Sequence, residues 1–451
     1  MSTTTKHERF HYETPEAFKQ ACQELNATLP FSERTEILGQ PLDCGTWRMK
    51  NRLGVQPMEG CDGTREGAPD ELTFRRYERF SCGGAAVLWM EAMAVCAEGR
   101  ANPRQLYLCE QNLSAFSRLN ERIDRAASGG APMKIAQLTH SGRYSKPNGV
   151  PEPKTAVPIP FLFADGKDDY TPVSDDYLKQ LEKQFVEAAK LAARAGFDAV
   201  DVKACHRYLI SELLGAFTRP GMYGGSFENR TRLLLNIVRR VKQEAGIEPV
   251  VRLNLYDAIP HPFGFGVSKE DVHKPDMDEP IRLLQLLAQS GVKLVDLSCG
   301  NPYYNPHVGR PYDQGGYLPP SHPLEDTARM LSLIRQAKQS CPELTVMATG
   351  FTWLREFAAN VAAGGIEQGW FDLAGFGRQA FAYPDFANDI LNGGMKREKC
   401  CVTCSNCTVM MRDGGVTGCP VRDSGVYAPL YKKGRGDKGS PVGKQVKESL
   451  F

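Results

Sequence analysis

The chain has 451 residues, 41% hydrophobic and 24% charged, with 55 Lys and Arg against 53 Asp and Glu for a formal net charge of +2. That composition belongs to a globular protein and excludes a disordered one, which combines low hydrophobicity with high net charge. Balanced charge gives no global pull toward nucleic acid, no apolar run approaches the ~18 residues of a membrane span, and the polar start from Met1 to Glu16 is no signal peptide; a cytoplasmic protein is expected.

Residues 1–49 are expected as an N-terminal extension with one helix, 15–25, after Thr14. From 50 to 394, strand and helix patterns alternate. Strands are expected at 52–57, 85–92, 133–138, 197–204, 249–255, 292–298, 344–350 and 370–377. Helices are expected at 73–84, 111–126, 174–195, 227–245, 280–290, 322–339, 352–363 and 384–391. Ser174 caps the third of these, with Asp175 and Asp176 in its first turn and Gly196 at its end. The strands are short and apolar on both faces, as buried parallel strands are. Eight strand–helix units imply an α/β fold, a (β/α)₈ TIM barrel. A doubly wound sheet is the alternative on pattern alone, but no linker divides the chain near 200 and no GxGxxG follows an early strand. Beyond the barrel, 395–430 reads as a separate cysteine-bearing segment and 431–451 as a Lys/Gly-rich tail.

Of fourteen cysteines, nine are scattered over 22–341 and five fall between Cys400 and Cys419. Cys401, Cys404 and Cys407 are spaced C-x₂-C-x₂-C, and Cys419 follows after eleven residues. Three thiolates at that spacing can wrap one face of an iron–sulfur cube, with a fourth from a longer loop closing it. A [4Fe–4S] cluster is therefore expected on Cys401, Cys404, Cys407 and Cys419, with Cys400 able to replace Cys401. Zinc held by four thiolates is the alternative.

In such a barrel, chemistry sits at the C-terminal ends of the strands. Those ends carry Gln137, then His140 and Arg143; Lys203, then Cys205, His206 and Tyr208; Arg252; Gly350; and Gly377-Arg378. Glycines after the last two strands suit a phosphate cradle, with Arg378 as an added donor. An amide (Gln137) and a guanidinium (Arg252) suit the pyrimidine edge of a flavin. Their conjunction on one fold points to FMN.

The stretches "NRLGVQPMEGCDG", "IAQLTHSGR", "AGFDAVDVKACHRYLISELL", "RPGMYGGSFENRTRLLLNIV" and "FDLAGFGRQAFAYPDF" resemble the old yellow enzyme superfamily. With the late cysteines, the chain resembles its iron–sulfur branch, which includes 2,4-dienoyl-CoA reductase and trimethylamine dehydrogenase. The resemblance implies an FMN barrel with Pro57, Met58 and Glu59 beside the flavin. It also implies Gln137 and Arg252 on the ring and Gly350, Gly377 and Arg378 on the phosphate. The family's strand-four motif begins with His, where this chain has Lys203; His206 and Tyr208 are retained. Lys203 is expected either to hold a substrate carboxylate or carbonyl, or to pair with Asp201 or Glu91. Tyr208 is expected as the acid that protonates the α-carbon.

The activity this implies is an ene-reductase, which moves hydride from reduced FMN to the C=C bond of an α,β-unsaturated carbonyl or acid. A trimethylamine-like amine dehydrogenase and an electron-transfer subunit are the alternatives, the first drawing on the aromatic loop 301–307. The FAD and NAD domains of larger members are missing from this sequence. Electrons are therefore expected from NAD(P)H docking on the flavin, or through the cluster from a redox protein such as ferredoxin or flavodoxin. No nucleic-acid or membrane partner is expected, and homo-oligomerisation is left open.

Overall fold

The computed structural model describes residues 7–162 and 170–436, with side chains described through 433; residues 1–6, 163–169 and the tail from 437 lie outside these residues. Eight parallel strands close into a barrel: β1 (Leu53–Val55), β2 (Val87–Ala94), β3 (Met133–Thr139), β4 (Ala199–Val202), β5 (Glu248–Tyr256), β6 (Leu294–Cys299), β7 (Thr345–Ala348) and β8 (Leu373–Phe376). Each pairs with the next, and β8 returns to β1 with Ala374 opposite Leu53 and Gly375 opposite Gly54. Apart from the entry residues Glu248 and Thr345, the strand residues are buried. This is the state of parallel strands filled from inside and covered by helices from outside.

The covering helices are α1 (Glu71–Cys82), α2 (Leu113–Ala126), α3 (Asp175–Ala195), α4 (Phe227–Glu244), α5 (Asp278–Gln289), α6 (Pro323–Ser340), α7 (Ala358–Glu367) and α8 (Phe386–Leu391). In α3, Leu178, Leu181, Phe185, Ala189 and Ala192 recur at three- and four-residue spacing and form the buried stripe. Ser174 Oγ accepts from the Tyr177 amide at 3.1 Å, and the chain leaves α3 through Gly196 at φ 87°, a left-handed backbone that favours glycine. Ser226 caps α4 in the same way, accepting from Asn229 at 3.3 Å.

Two departures from the sequence reading shape the barrel mouth. The first strand is shorter than 52–57: its last ladder bond runs from the Gln56 amide to the Phe376 carbonyl at 3.0 Å. Pro57 has no N–H to continue the ladder, so residues 57–59 peel away over the mouth. The helix expected at 352–363 is split into a 3₁₀ segment, Phe351–Phe357, and α7. Within the 3₁₀ segment the chain kinks at Arg355, which has φ 49° and an ion pair with Asp313 at 2.7 Å.

The segment after α8 is no loose appendage. It contains helices Asn406–Arg412 and Ser424–Gly436 and returns to the mouth. The Thr417 amide donates to the Gly60 carbonyl at 2.6 Å, Arg310 Nη1 to Thr408 Oγ1 at 3.1 Å, and Arg75 Nη1 to Asp423 Oδ2 at 2.8 Å. Arg79 also pairs with Asp423. No helix among the described residues is long and apolar enough to cross a membrane.

Candidate active site

The strand ends surround a cavity of about 1130 Å³. Its walls contain every barrel residue the sequence reading selected for cofactor or catalysis. Pro57, Met58 and Glu59 come from the β1 exit, Gln137 from β3, Arg252 from β5, Gly350 from the end of β7, and Gly377 and Arg378 from the end of β8. Lys203, His206 and Tyr208 follow β4. The sequence reading missed Gln56, Arg310, Thr408 and Met411 as wall residues; it noted the aromatic loop 301–307 but did not single out Tyr303, which also lines the cavity.

The floor is a hydrogen-bonded lattice. Gln137 Nε2 and Trp89 Nε1 donate to Asp201 Oδ2 at 2.7 and 2.8 Å, and the Arg252 amide donates to Asp201 Oδ1 at 2.7 Å. Arg252 Nε pairs with Asp296 Oδ2 at 2.9 Å, and Gln56 Nε2 donates to Asp296 Oδ1 at 3.0 Å. A guanidinium inside a strand needs such a partner. Burial pushes both aspartates up to about 6, against the lowering effect of these contacts.

After β4 the chain takes two left-handed residues in a row, His206 at φ 63° and Arg207 at φ 59°. Arg207 is buried and donates to Asp257 Oδ2 at 3.2 Å, while His206 lines the cavity. Burial holds the His206 imidazole well below its usual range, with Arg252 and Lys203 adding to the effect. Lys203 is 5% exposed. The expected pairing with Asp201 or Glu91 is absent: Asp201 is filled as above, and Glu91 accepts from Arg76 and from the Gly60 amide. Lys203 Nζ instead lies 3.7 Å from the centre of the Tyr208 ring, and burial lowers its pKa.

The Tyr208 hydroxyl donates to Glu59 Oε1 at 2.9 Å and lies 3.0 Å from the Tyr303 hydroxyl. A phenol carries one hydrogen, so with Tyr208 donating to the carboxylate, Tyr303 is the donor to Tyr208. Tyr303 is itself stacked on Tyr144, centroids 4.0 Å apart and planes 25° apart. Burial, then Glu59, holds the Tyr208 phenol well above its usual range, so the proton stays on it at neutral pH.

At the other end, Gly350 has φ 101° and Gly377 opens the helical turn Arg378–Ala382. Arg378 Nη2 donates to the Pro311 carbonyl at 2.7 Å, while its buried Nη1 has no partner. Arg310 is pushed down to about 10, by burial first and then by Arg378 and Arg412. This cationic corner, with glycine backbone beside it, is suited to an anion such as phosphate.

The cysteines give a correction. Among the described residues, no group of three or more His, Cys, Asp or Glu side chains could hold a metal ion, which overturns the [4Fe–4S] cluster expected on Cys401, Cys404, Cys407 and Cys419. Burial pushes the Cys401 thiol up to about 12 and also raises Cys404 and Cys419. Local contacts use the sulfurs instead: Cys401 Sγ accepts from the Thr403 amide at 3.4 Å and Cys419 Sγ from the Arg422 amide at 3.3 Å. Cys400 donates to the Lys396 carbonyl at 3.4 Å. What 395–430 contributes to the cavity is Thr408 and Met411.

Comparison with known proteins agrees with the barrel. Residues 38–270 match the NADH:flavin oxidoreductase / NADH oxidase family. The chain is 30% identical over 260 residues to an NADPH dehydrogenase of Bacillus pumilus, covering 56% of this chain and 70% of that protein. It is 27% identical over 352 residues to an NADH:acrylate oxidoreductase of Vibrio harveyi, covering 76% of this chain but 32% of that longer protein. In fold it is similar to 2-naphthoyl-CoA reductase in complex with 2-naphthoyl-CoA, with a TM-score of 0.73 at 20% identity over 88% of this chain and 58% of that one. A closed parallel barrel, a cavity at its strand ends and these matches together make the chain a member of the NADH:flavin oxidoreductase / NADH oxidase family, and a flavin-dependent oxidoreductase.

Proposed function

We propose that the protein is an FMN-dependent reductase of the C=C bond in α,β-unsaturated carbonyl or carboxylic compounds, with NAD(P)H as electron donor. The observation that carries this reading is the cavity itself, in which ring-side, phosphate-side and proton-donating groups share one chamber. The residues fit FMN. The unpartnered Arg378 Nη1 beside Gly377 suits its phosphate, and the unpartnered Gln56 Oε1 is an acceptor near the floor.

When bound, FMN supplies a hydride carrier between the nicotinamide and the electron-poor β-carbon. Gly350, Gly377 and Arg378 hold the phosphate; Gln137 and Arg252 hold the ring edge; Pro57, Met58 and Glu59 flank it. Lys203 and His206 donate to the substrate's carbonyl or carboxylate oxygen, which holds the substrate and stabilises negative charge as it develops there. Tyr208 gives its proton to the α-carbon. Tyr303, donating to the Tyr208 oxygen, stabilises the phenolate left behind, and Glu59 orients the phenol between turnovers.

Charge favours this over amine oxidation. Of the cations lining the cavity, Arg252 is paired with Asp296 and Arg378 is given to the phosphate, which leaves Lys203 and Arg310 against the single carboxylate of Glu59, itself already accepting from Tyr208. That field suits an acid or a polarised carbonyl and opposes a cationic amine. An electron-transfer subunit fed through a cluster loses its conduit with the cysteine correction. The test is anaerobic turnover of the protein with NADPH or NADH against 2-cyclohexenone, acrylate and trimethylamine. Reduction of the first two supports the reading, and oxidation of the amine alone overturns it.

A further inference from the structure

A second chamber of about 1010 Å³ adjoins the cavity. The two share Tyr303, Pro306, Arg310 and Thr408 among their lining residues, so the second space lies next to the one over Tyr208. Its chemistry differs from that of the first. Tyr304, Tyr312, Tyr317 and Tyr431 supply flat faces, Arg310 and Arg412 supply charge, and no Asp or Glu lines it.

Neither arginine is neutralised. Arg310 Nη1 donates to Thr408 Oγ1 at 3.1 Å and Arg412 Nη2 to the Pro302 carbonyl at 3.2 Å, both neutral acceptors, and neither pairs with a carboxylate among the described residues. Beside them Ser405 is 7% exposed, and its buried hydroxyl has no partner. Both arginines are half-buried, and a guanidinium with no carboxylate beside it is a ready partner for an anion. The flavin phosphate does not account for all of this. In the reading above it is held by Gly350, Gly377 and Arg378, and of those three none lines the second chamber.

We propose that this chamber is an anion-recognition subsite, which takes a phosphate or carboxylate at the far end of a flat ligand whose reactive end lies over Tyr208. Arg412 and Arg310 grip the anion, Ser405 donates to it, and the tyrosine faces pack the body between the two ends. The inference rests on the cavity being the reaction site. Two sources share this chemistry: the phosphates of the nicotinamide donor, and an acidic group on the substrate.

Arg412→Gln and Ser405→Ala test it, since Arg412 and Ser405 line only the second chamber. The first arm is calorimetric titration of the flavin-loaded protein with inorganic pyrophosphate, which needs no turnover. Binding should weaken about tenfold or more in Arg412→Gln, the loss of one charge-assisted hydrogen bond. The second arm compares KM for NADPH, for NADH and for a cinnamate ester with and without a para-carboxylate. A rise confined to NADPH assigns the anion to the nucleotide's extra phosphate, and a rise confined to the carboxylated ester assigns it to the substrate. In either case kcat with 2-cyclohexenone is unchanged. Pyrophosphate binding that is absent, or equal in wild type and Arg412→Gln, overturns the subsite even if enone reduction is normal. Failure of enone reduction with Arg412-dependent pyrophosphate binding would instead sink the reductase reading.

Discussion

The barrel mouth and the C-terminal segment 395–436 face each other across one cavity, yet they yield to reasoning very differently. At the mouth, position in sequence becomes position in space through the strand register: a residue at the end of β3 must lie beside one at the end of β4, whatever its chemistry. Gln137 and Lys203 therefore reached the same chamber as Arg252, and as Gly377 across it. In the segment there is no such frame. Four cysteines at suggestive intervals give a set of possible ligands, but the backbone between them decides what they meet. Thr403 and Ser405 take left-handed conformations at φ 46° and 57°, and spacing does not encode that.

The sharpest way to break the comparison is at the mouth. Tyr208→Phe should lower turnover of an unsaturated substrate by about 10²- to 10⁴-fold, the usual range for a general acid, while the bound flavin keeps its absorbance. A variant with wild-type turnover would remove Tyr208 as the acid. Arg378→Gln comes next: loss of a charge-assisted contact of about 1.5–3 kcal/mol should weaken FMN binding by roughly 10- to 100-fold, read by fluorescence titration of flavin-free protein.

His140 gives a smaller effect with a definite sign. Its Nδ1 accepts from the Gly142 amide at 3.0 Å, its Nε2 lies 2.8 Å from the Tyr177 hydroxyl, and burial, then Lys154, pushes it down to about 3. A depressed pKa means the unfolded chain binds the proton first. The contribution is therefore full above pH ~6.5 and is lost as pH falls toward 3, at about 1.4 kcal/mol per unit. Between pH 6.5 and 5 wild type should lose about 2 kcal/mol relative to His140→Gln in urea unfolding. Parallel curves for the two proteins would contradict a buried neutral imidazole. The smallest effect belongs to the segment: Asp423→Asn loosens its tie to Arg75 and Arg79, which are 34% and 37% exposed. Its cost should be at most about 1 kcal/mol, with faster proteolysis between Cys419 and Gly436 as the readout.

The order of elements, the closed barrel and the wall residues were legible because alternation of short apolar strands with capped helices leaves few topologies. Ser174 and Gly196 bound α3 where the sequence says they should. Tyr303 was harder to find. It sits in an irregular loop whose path is set by side chains, with Asn305 Oδ1 accepting from the Asn301 amide at 2.6 Å and Asn305 Nδ2 donating to the Asp257 carbonyl at 3.0 Å. The aromatic run 301–307 showed that something flat belonged there, but not which ring would turn toward Tyr208. The turn after β4 was hidden for a related reason, since successive left-handed residues at His206 and Arg207 depend on the distant Asp257.

The most direct test of the central claim is a single anaerobic mixing experiment. The protein-bound flavin is reduced with NADPH, the excess donor is removed, and 2-cyclohexenone is added while flavin absorbance is followed. The account requires rapid return of the oxidised spectrum, with one cyclohexanone formed per flavin. A flavin that stays reduced in the presence of the enone and of acrylate, or a protein that holds no flavin, would contradict it.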